Sequence, residues 1–138
     1  MSTNATTHKQ RMQHAFAELA QGKGQALLDL MADDFNWVMM GTTAWSRTYE
    51  GKQAVVDELF KPLYKQFERP YINTAQRFIA EDDSVVVLCQ GRVTTKRGKA
   101  YNNSYCYVCR FAEDGKMHEL IEYFDTELVT AALEKPGA

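Results

Sequence analysis

Glu122 is the residue whose setting suggests chemistry. It sits in the strand-like end of VVVLCQGRVTTKRGKAYNNSYCYVCRFAEDGKMHELIEYFDT, the run from Val85 to Thr126, among largely apolar neighbours. A carboxyl group walled by apolar side chains is pushed toward neutrality, which suits it to take a proton from a carbon next to a carbonyl and to return it elsewhere. Gln90 and Arg92 share the parity that would place them in the same interior, provided the hairpin at Arg97-Gly98 pairs even positions with even positions. There Arg92 or Gln90 would hold the enolate oxygen, Ser104 and Cys106 would face the same space, and Phe16, Trp37, Met39, Val108 and Phe124 would wall it, with Trp45 at the rim. The same groups could protonate and hydrate a double bond. A structural role competes, since an enclosed Glu and Arg also satisfy one another as an ion pair.

The elements that position these residues are three antiparallel strands. Asp114-Gly115 is a hairpin signal, and Arg97-Gly98 marks a second, basic tip. If Glu113-Asp114-Gly115 forms a three-residue loop with Gly115 in the left-handed conformation, Val108 faces Leu120, Cys106 faces Glu122 and Ser104 faces Phe124. A two-residue loop instead pairs Ser104 with Asp125 and Tyr105 with Phe124. A slip of one residue moves every side chain to the opposite face. In the first register Tyr105, Tyr107 and Tyr123 fall on the outer face, which is too aromatic for a plain solvated surface and suits contact with a second subunit, giving a homodimer.

Upstream, residues 1–6 read as a disordered tail, and Thr7 with Gln10 as the capping box of a helix whose stripe is Met12, Phe16 and Leu19. A short helix over 25–31, a strand over 35–40, an aromatic-bearing loop with Trp45 and Tyr49, and a helix from Lys52 to about Phe67 follow. Pro62 should bend or split that last helix near Phe60. Strands then run from Tyr71 and from Ser84. Asp125 reads as the cap of a final short helix rather than as a catalytic acid. The order predicts an α+β fold: a cone-shaped, curved antiparallel sheet with three N-terminal helices on its concave face and a short C-terminal helix, in a single domain over 7–138.

Composition narrows the function. Lys plus Arg total 16 against 18 Asp plus Glu, for a formal charge of -2, so no global electrostatic case exists for nucleic acid or anionic membrane. No apolar run approaches a membrane span. Cys89, Cys106 and Cys109 read as reduced core thiols of a cytoplasmic chain, because the C-x-x-C spacing on a strand sends its two sulfurs to opposite faces. His8, His14 and His118 are scattered, and no metal or cofactor is expected.

Phe35-Asn36-Trp37 after a two-helix start, Gly51-Lys52-Gln53-Ala54-Val55 opening the third helix, and Asp114-Gly115-Lys116 followed by Glu122-Tyr123-Phe124-Asp125 resemble the SnoaL-like branch of the nuclear transport factor 2-like superfamily. The resemblance spans roughly Thr7 to Leu133. It implies a conical α+β fold, usually dimeric, shared with ketosteroid isomerases, polyketide cyclases and limonene epoxide hydrolase. In the epoxide hydrolases an acid matches Glu122, two residues before an aromatic matching Phe124. Their water-positioning Tyr and Asn fall on Trp37 and Met39 here, and their Arg and Asp on Gln90 and Arg92, so that triad is absent. Phe16 stands where the steroid isomerases have a helix tyrosine. The resemblance thus implies a cofactor-free isomerase, cyclase or hydratase of a small, mostly apolar carbonyl compound, or a non-catalytic binding module of the same fold.

Overall fold

In the computed structural model, which describes residues 2–137, helix α1 (Ser2–Leu19) buries Ala5, His8, Met12, Ala15, Phe16 and Leu19. These positions recur every three or four residues and so line one face. The helix starts at Ser2 rather than Thr7, so residues 2–6, expected as tail, are helical; Met1 and Ala138 lie outside the described residues. Gly22, at φ 80°, closes α1 in the left-handed conformation, with its amide on the Leu19 carbonyl. α2 (Gln25–Leu30) leads directly into strand β1 (Met31–Met39), and β2 (Thr48–Glu50) folds back on it.

The next helical stretch changes pitch around its proline. α3 (Lys52–Ala54) passes into a π-helical segment (Val55–Phe60), and α4 (Lys61–Tyr64) follows with Pro62 in its first turn. Proline lacks an amide and crowds the preceding turn; the wider π turn lies directly before it, with the Lys61 amide reaching back five residues to the Val56 carbonyl. Strands β3 (Ile72–Glu81), β4 (Ser84–Arg92), β5 (Ser104–Phe111) and β6 (Met117–Phe124) and helix α5 (Thr126–Ala132) complete the chain.

The six strands form one curved, unclosed sheet in the order β2-β1-β6-β5-β4-β3. β1 runs parallel to β6, while the other pairings are antiparallel. α1 packs across β3 and β4. The concave face carries Phe35, Trp37 and Met39 from β1, Val85, Val87 and Cys89 from β4, Tyr105, Tyr107, Cys109 and Phe111 from β5, and Leu120 and Glu122 from β6, all buried. An irregularity between Ala75 and Arg77 switches the inward side of β3 from odd to even positions.

Both hairpins have the turns expected, yet one register differs. β4 and β5 pair even with even, as in Gln90 with Ser104. At the other hairpin Ala112 pairs with Lys116 and Gly115 sits at φ 81°, the three-residue loop with a left-handed glycine. Beyond it, Phe111 faces Met117 while Arg110 faces Glu119, so His118 is an extra residue in β6. This bulge moves the rest of the pairing by one: Tyr107 faces Glu122 and Tyr105 faces Phe124, the pairs assigned to the shorter loop.

Candidate functional site

The bulge decides which side chains meet Glu122. With β6 shifted, the odd positions of β5 and β4 join its even positions inside. Tyr105 and Tyr107, expected on an outer dimer face, are 7% and 4% exposed on the inner one. The residues expected beside Glu122 point the other way. Gln90 and Ser104 are bonded to each other on the convex face, at 2.7 Å, Cys106 and Val108 are half-buried there, and Arg92 is exposed. The expected Glu122–Arg92 pair is therefore not formed. Phe16 is buried beneath the site, its ring against Tyr107 and Phe78, and Phe124 is partly buried against the core and does not line the cavity. Trp37, Met39 and Trp45 do line it, with Glu122.

The remaining lining comes from the π segment and α4 (Leu59, Phe60, Leu63, Tyr64), from Tyr71, Tyr101, Tyr105 and Tyr107, and from Val129 and Leu133 at the C-terminal end. The free space is about 40 Å³, counted as volume open to the centre of a water-sized sphere. That holds water, so a larger ligand requires the walls to part.

Glu122 is 5% exposed, and its Oε1 accepts a hydrogen bond from the Trp37 indole at 2.8 Å. Burial raises its pKa to about 7, against the lowering effect of that bond. The phenols around it are held protonated. Burial pushes Tyr71, Tyr101, Tyr105 and Tyr107 up, and the charge of Glu122 is the second cause at Tyr101 and Tyr107.

Their hydroxyls are organised by polar side chains at the strand ends. Tyr71 and Tyr105 share a hydrogen bond of 2.6 Å. The Asn103 amide donates to Tyr101 at 3.2 Å, and that of Asn73 to Tyr107 at 3.3 Å. Asn103 also brackets the Asp125 backbone, donating to its carbonyl and accepting from its amide, both at 3.0 Å. Asp125 Oδ1 in turn accepts the amides of Glu127 and Leu128, capping the helix that carries Val129 over the cavity. Gly91 makes the Tyr71–Tyr105 pair possible, because a Cβ there would run into the Tyr71 hydroxyl and the Tyr105 ring.

The tyrosines had a signal in the sequence. The odd row Tyr105, Tyr107, Cys109, Phe111 is apolar throughout, whereas the even row begins at Ser104 and ends at Arg110. Tyr64, Tyr71 and Tyr101 lie on α4 or outside the regular strands, where periodicity says nothing. Among the described residues no cluster of three His, Cys, Asp or Glu could hold a metal ion, and no helix is long and apolar enough to cross a membrane.

The chain belongs to the SnoaL-like domain family, whose model matches residues 12–120. A Jannaschia sp. CCS1 protein assigned by name to the SnoaL-like polyketide cyclases superposes with a TM-score of 0.79 at 16% identity, covering 99% of this chain and 97% of that one. An NTF2-like protein of Burkholderia thailandensis E264 gives 0.78 at 21% identity, covering 92% and 97%. TerC, co-crystallised with polyporic acid, gives 0.72 at 21% identity, covering 91% and 96%. At these identities the likeness is one of fold. No curated protein matches the chain in sequence.

Proposed function

We propose that the chain is a cofactor-free enzyme of SnoaL-like type that moves a proton on a small, mostly apolar carbonyl compound, as an isomerase, cyclase or hydratase. The observation that carries this reading is the poise of Glu122: a buried carboxyl near neutrality, held through one oxygen by Trp37, in a cavity lined by phenols that stay protonated. Such a divergence of acidities separates the roles. Glu122, as carboxylate, takes the proton from the carbon beside the carbonyl. Charge then gathers on the carbonyl oxygen, where Tyr107 or Tyr101 donates a hydrogen bond. Reprotonation at another carbon gives an isomer. Attack of the enolate carbon on a second carbonyl of the same molecule breaks that C=O π bond, and the proton held by Glu122 passes to the resulting alkoxide oxygen to give a hydroxyl-bearing ring, in keeping with the cyclase name of the Jannaschia relative.

The test is proton exchange. Aromatic β-diketones incubated with the protein in D2O should gain deuterium at the acidic carbon faster than in buffer alone, and Glu122→Gln should abolish the excess. The second reading is a binding module. It draws on the same hydrogen bonds, since phenols fixed by Asn73, Asn103 and one another are also a static anchor for a carbonyl. Saturable binding of the diketones without deuterium uptake would establish it and remove the enzyme.

The proposed homodimer uses the convex face. With Tyr105 and Tyr107 turned inward, that face presents Val86, Leu88, Cys106, Val108 and Ile121, half-buried in the single chain, and Tyr123, 47% exposed. An apolar sheet face of this kind suits an isologous contact with a second copy. Val108→Glu should convert the dimer to monomer in sedimentation velocity; a wild-type chain that sediments as a monomer would remove the proposal.

A further inference from the structure

Beside the Glu122 cavity lies a second cleft of opposite character. It is bounded by Lys65, Gln66, Lys96, Arg97, Glu134 and Lys135, four cations against one carboxylate, on a chain whose formal charge is -2. The carboxylate is already engaged, Glu134 Oε1 lying 3.3 Å from Arg97 Nε. Lys65, Lys96 and Lys135 form no ion pair among the described residues, whereas Lys61, one turn before Lys65, is paired with Asp57 at 3.0 Å. A concave surface lined by one sign of charge focuses its field and concentrates the opposite ion.

The two spaces are lined by neighbouring stretches of chain. Tyr64 and Leu133 face the cavity, while the residues that follow them, Lys65 and Glu134, face the cleft. Consecutive Cα atoms are about 3.8 Å apart, so the same backbone at 64–65 and at 133–134 borders both spaces. A polar clasp joins the two stretches: Gln66 donates to the Glu134 carbonyl at 3.1 Å and accepts from its amide at 2.9 Å, and the Trp45 indole donates to the same carbonyl at 2.9 Å. The cavity itself offers an anion nothing, since its one charged group is a carboxylate.

We infer that the basic cleft is a subsite for an anionic group, a carboxylate or phosphate, carried on a short tail by the ligand whose apolar body occupies the Glu122 cavity. This rests on the cavity being a ligand site, as proposed above, and adds a substrate class: an acidic tail on an apolar carbonyl compound. Anion binding competes with Glu134 for Arg97, which ties ligand entry to release of the C-terminal segment over the cavity.

The test compares two probes of one shape, 4-(2-naphthyloxy)butanoate and its neutral amide, by quenching of tryptophan fluorescence. The carboxylate is expected to bind about tenfold more tightly than the amide at low salt, and the margin should shrink as sodium chloride is raised. The double variant Lys65→Glu, Lys96→Glu, exposed at both positions, should lose the margin and bind the amide as the wild type does. Equal affinities for the two probes in the wild type, or a margin that survives in the double variant, would overturn the subsite while leaving the cavity reading intact. Failure of both probes to bind would remove the cavity reading and the subsite with it.

Discussion

The two ends of the concave face each enclose an ionisable side chain and treat it differently. At the end holding the Asp82 and Glu113–Gly115 turns, His8 lies flat on Phe111, with centroids 4.6 Å apart, and its Nδ1 meets Arg11 at 2.9 Å. At the end toward the basic tip, Glu122 lies among aromatics with the Trp37 indole on one oxygen. Burial disfavours the charged form of both groups. It lowers His8, assisted by the Arg11 charge and opposed by Asp83, and raises Glu122. His8 is thereby kept neutral as a packed ring against the end of the sheet. Glu122 is left near its midpoint beside free space. His8 also borders open space, shared with Asp82, Asp83 and Arg110, so what separates a packing group from a reactive one here is the character of the space: charged side chains line it at His8, and aromatic side chains wall it at Glu122.

The sharpest way to break this contrast is to remove the carboxyl charge. Glu122→Gln keeps an oxygen for the Trp37 indole, so the fold should persist while proton exchange falls by at least about a hundredfold. Stability should change in a defined direction. A carboxyl whose folded pKa is about 7, against an ordinary 4.5, stabilises the fold below about 4.5, and that contribution is lost as the pH rises to about 7. Over this window the wild type should lose on the order of 3 kcal/mol that the variant does not. Denaturant melts at pH 4.5 and pH 8 measure it, and an equal slope in both proteins would show that Glu122 titrates in the fold as it does in the unfolded chain.

The tyrosine wall is the next target. Gly91→Ala places a methyl group against Tyr71 and Tyr105, and should destabilise by about 1–3 kcal/mol. Removing the Tyr71 hydroxyl in the double variant Gly91→Ala, Tyr71→Phe should recover part of the loss in thermal melts. No recovery would place the clash elsewhere. A smaller effect belongs to the helix that covers the cavity: Asp125→Ala leaves the Glu127 and Leu128 amides uncapped and should cost about 1 kcal/mol.

The same contrast marks what could be read without coordinates. Helix stripes, the Pro62 discontinuity, the Asp125 cap and both turns follow from short-range chemistry, and the structure has each of them; the even-to-even pairing of β4 with β5 entered only as a condition, and the structure meets it. The face of β5 did not follow. It turns on His118, an extra residue placed three positions beyond a correctly read loop. Turn residues specify a turn and say nothing of a bulge further along the strand. The available trace was the spacing of Met117 and Leu120, both fully buried three positions apart where strict alternation allows two or four. For that reason Gln90, Arg92, Ser104, Cys106 and Val108 were expected inside, and the tyrosines took their place.

The smallest expected effect tests the other side of the comparison. A histidine held neutral by burial contributes stability above its ordinary value of 6.5, and that contribution is lost as the pH falls through its lower folded value. The sign is opposite to that of Glu122, so the two groups partly cancel in the wild type at mildly acid pH. His8→Phe keeps a ring on Phe111 and removes the titration, while Arg11 loses its ring-nitrogen partner. At pH 7.5 the variant should melt close to the wild type. Below pH 6.5 it should gain on the wild type as acid is added, most clearly in a Glu122→Gln background, where the opposing slope is gone. If the double variant shows the same acid dependence as Glu122→Gln alone, His8 is protonated as freely in the fold as in the unfolded chain, and only the Glu122 end of the face disfavours a charge.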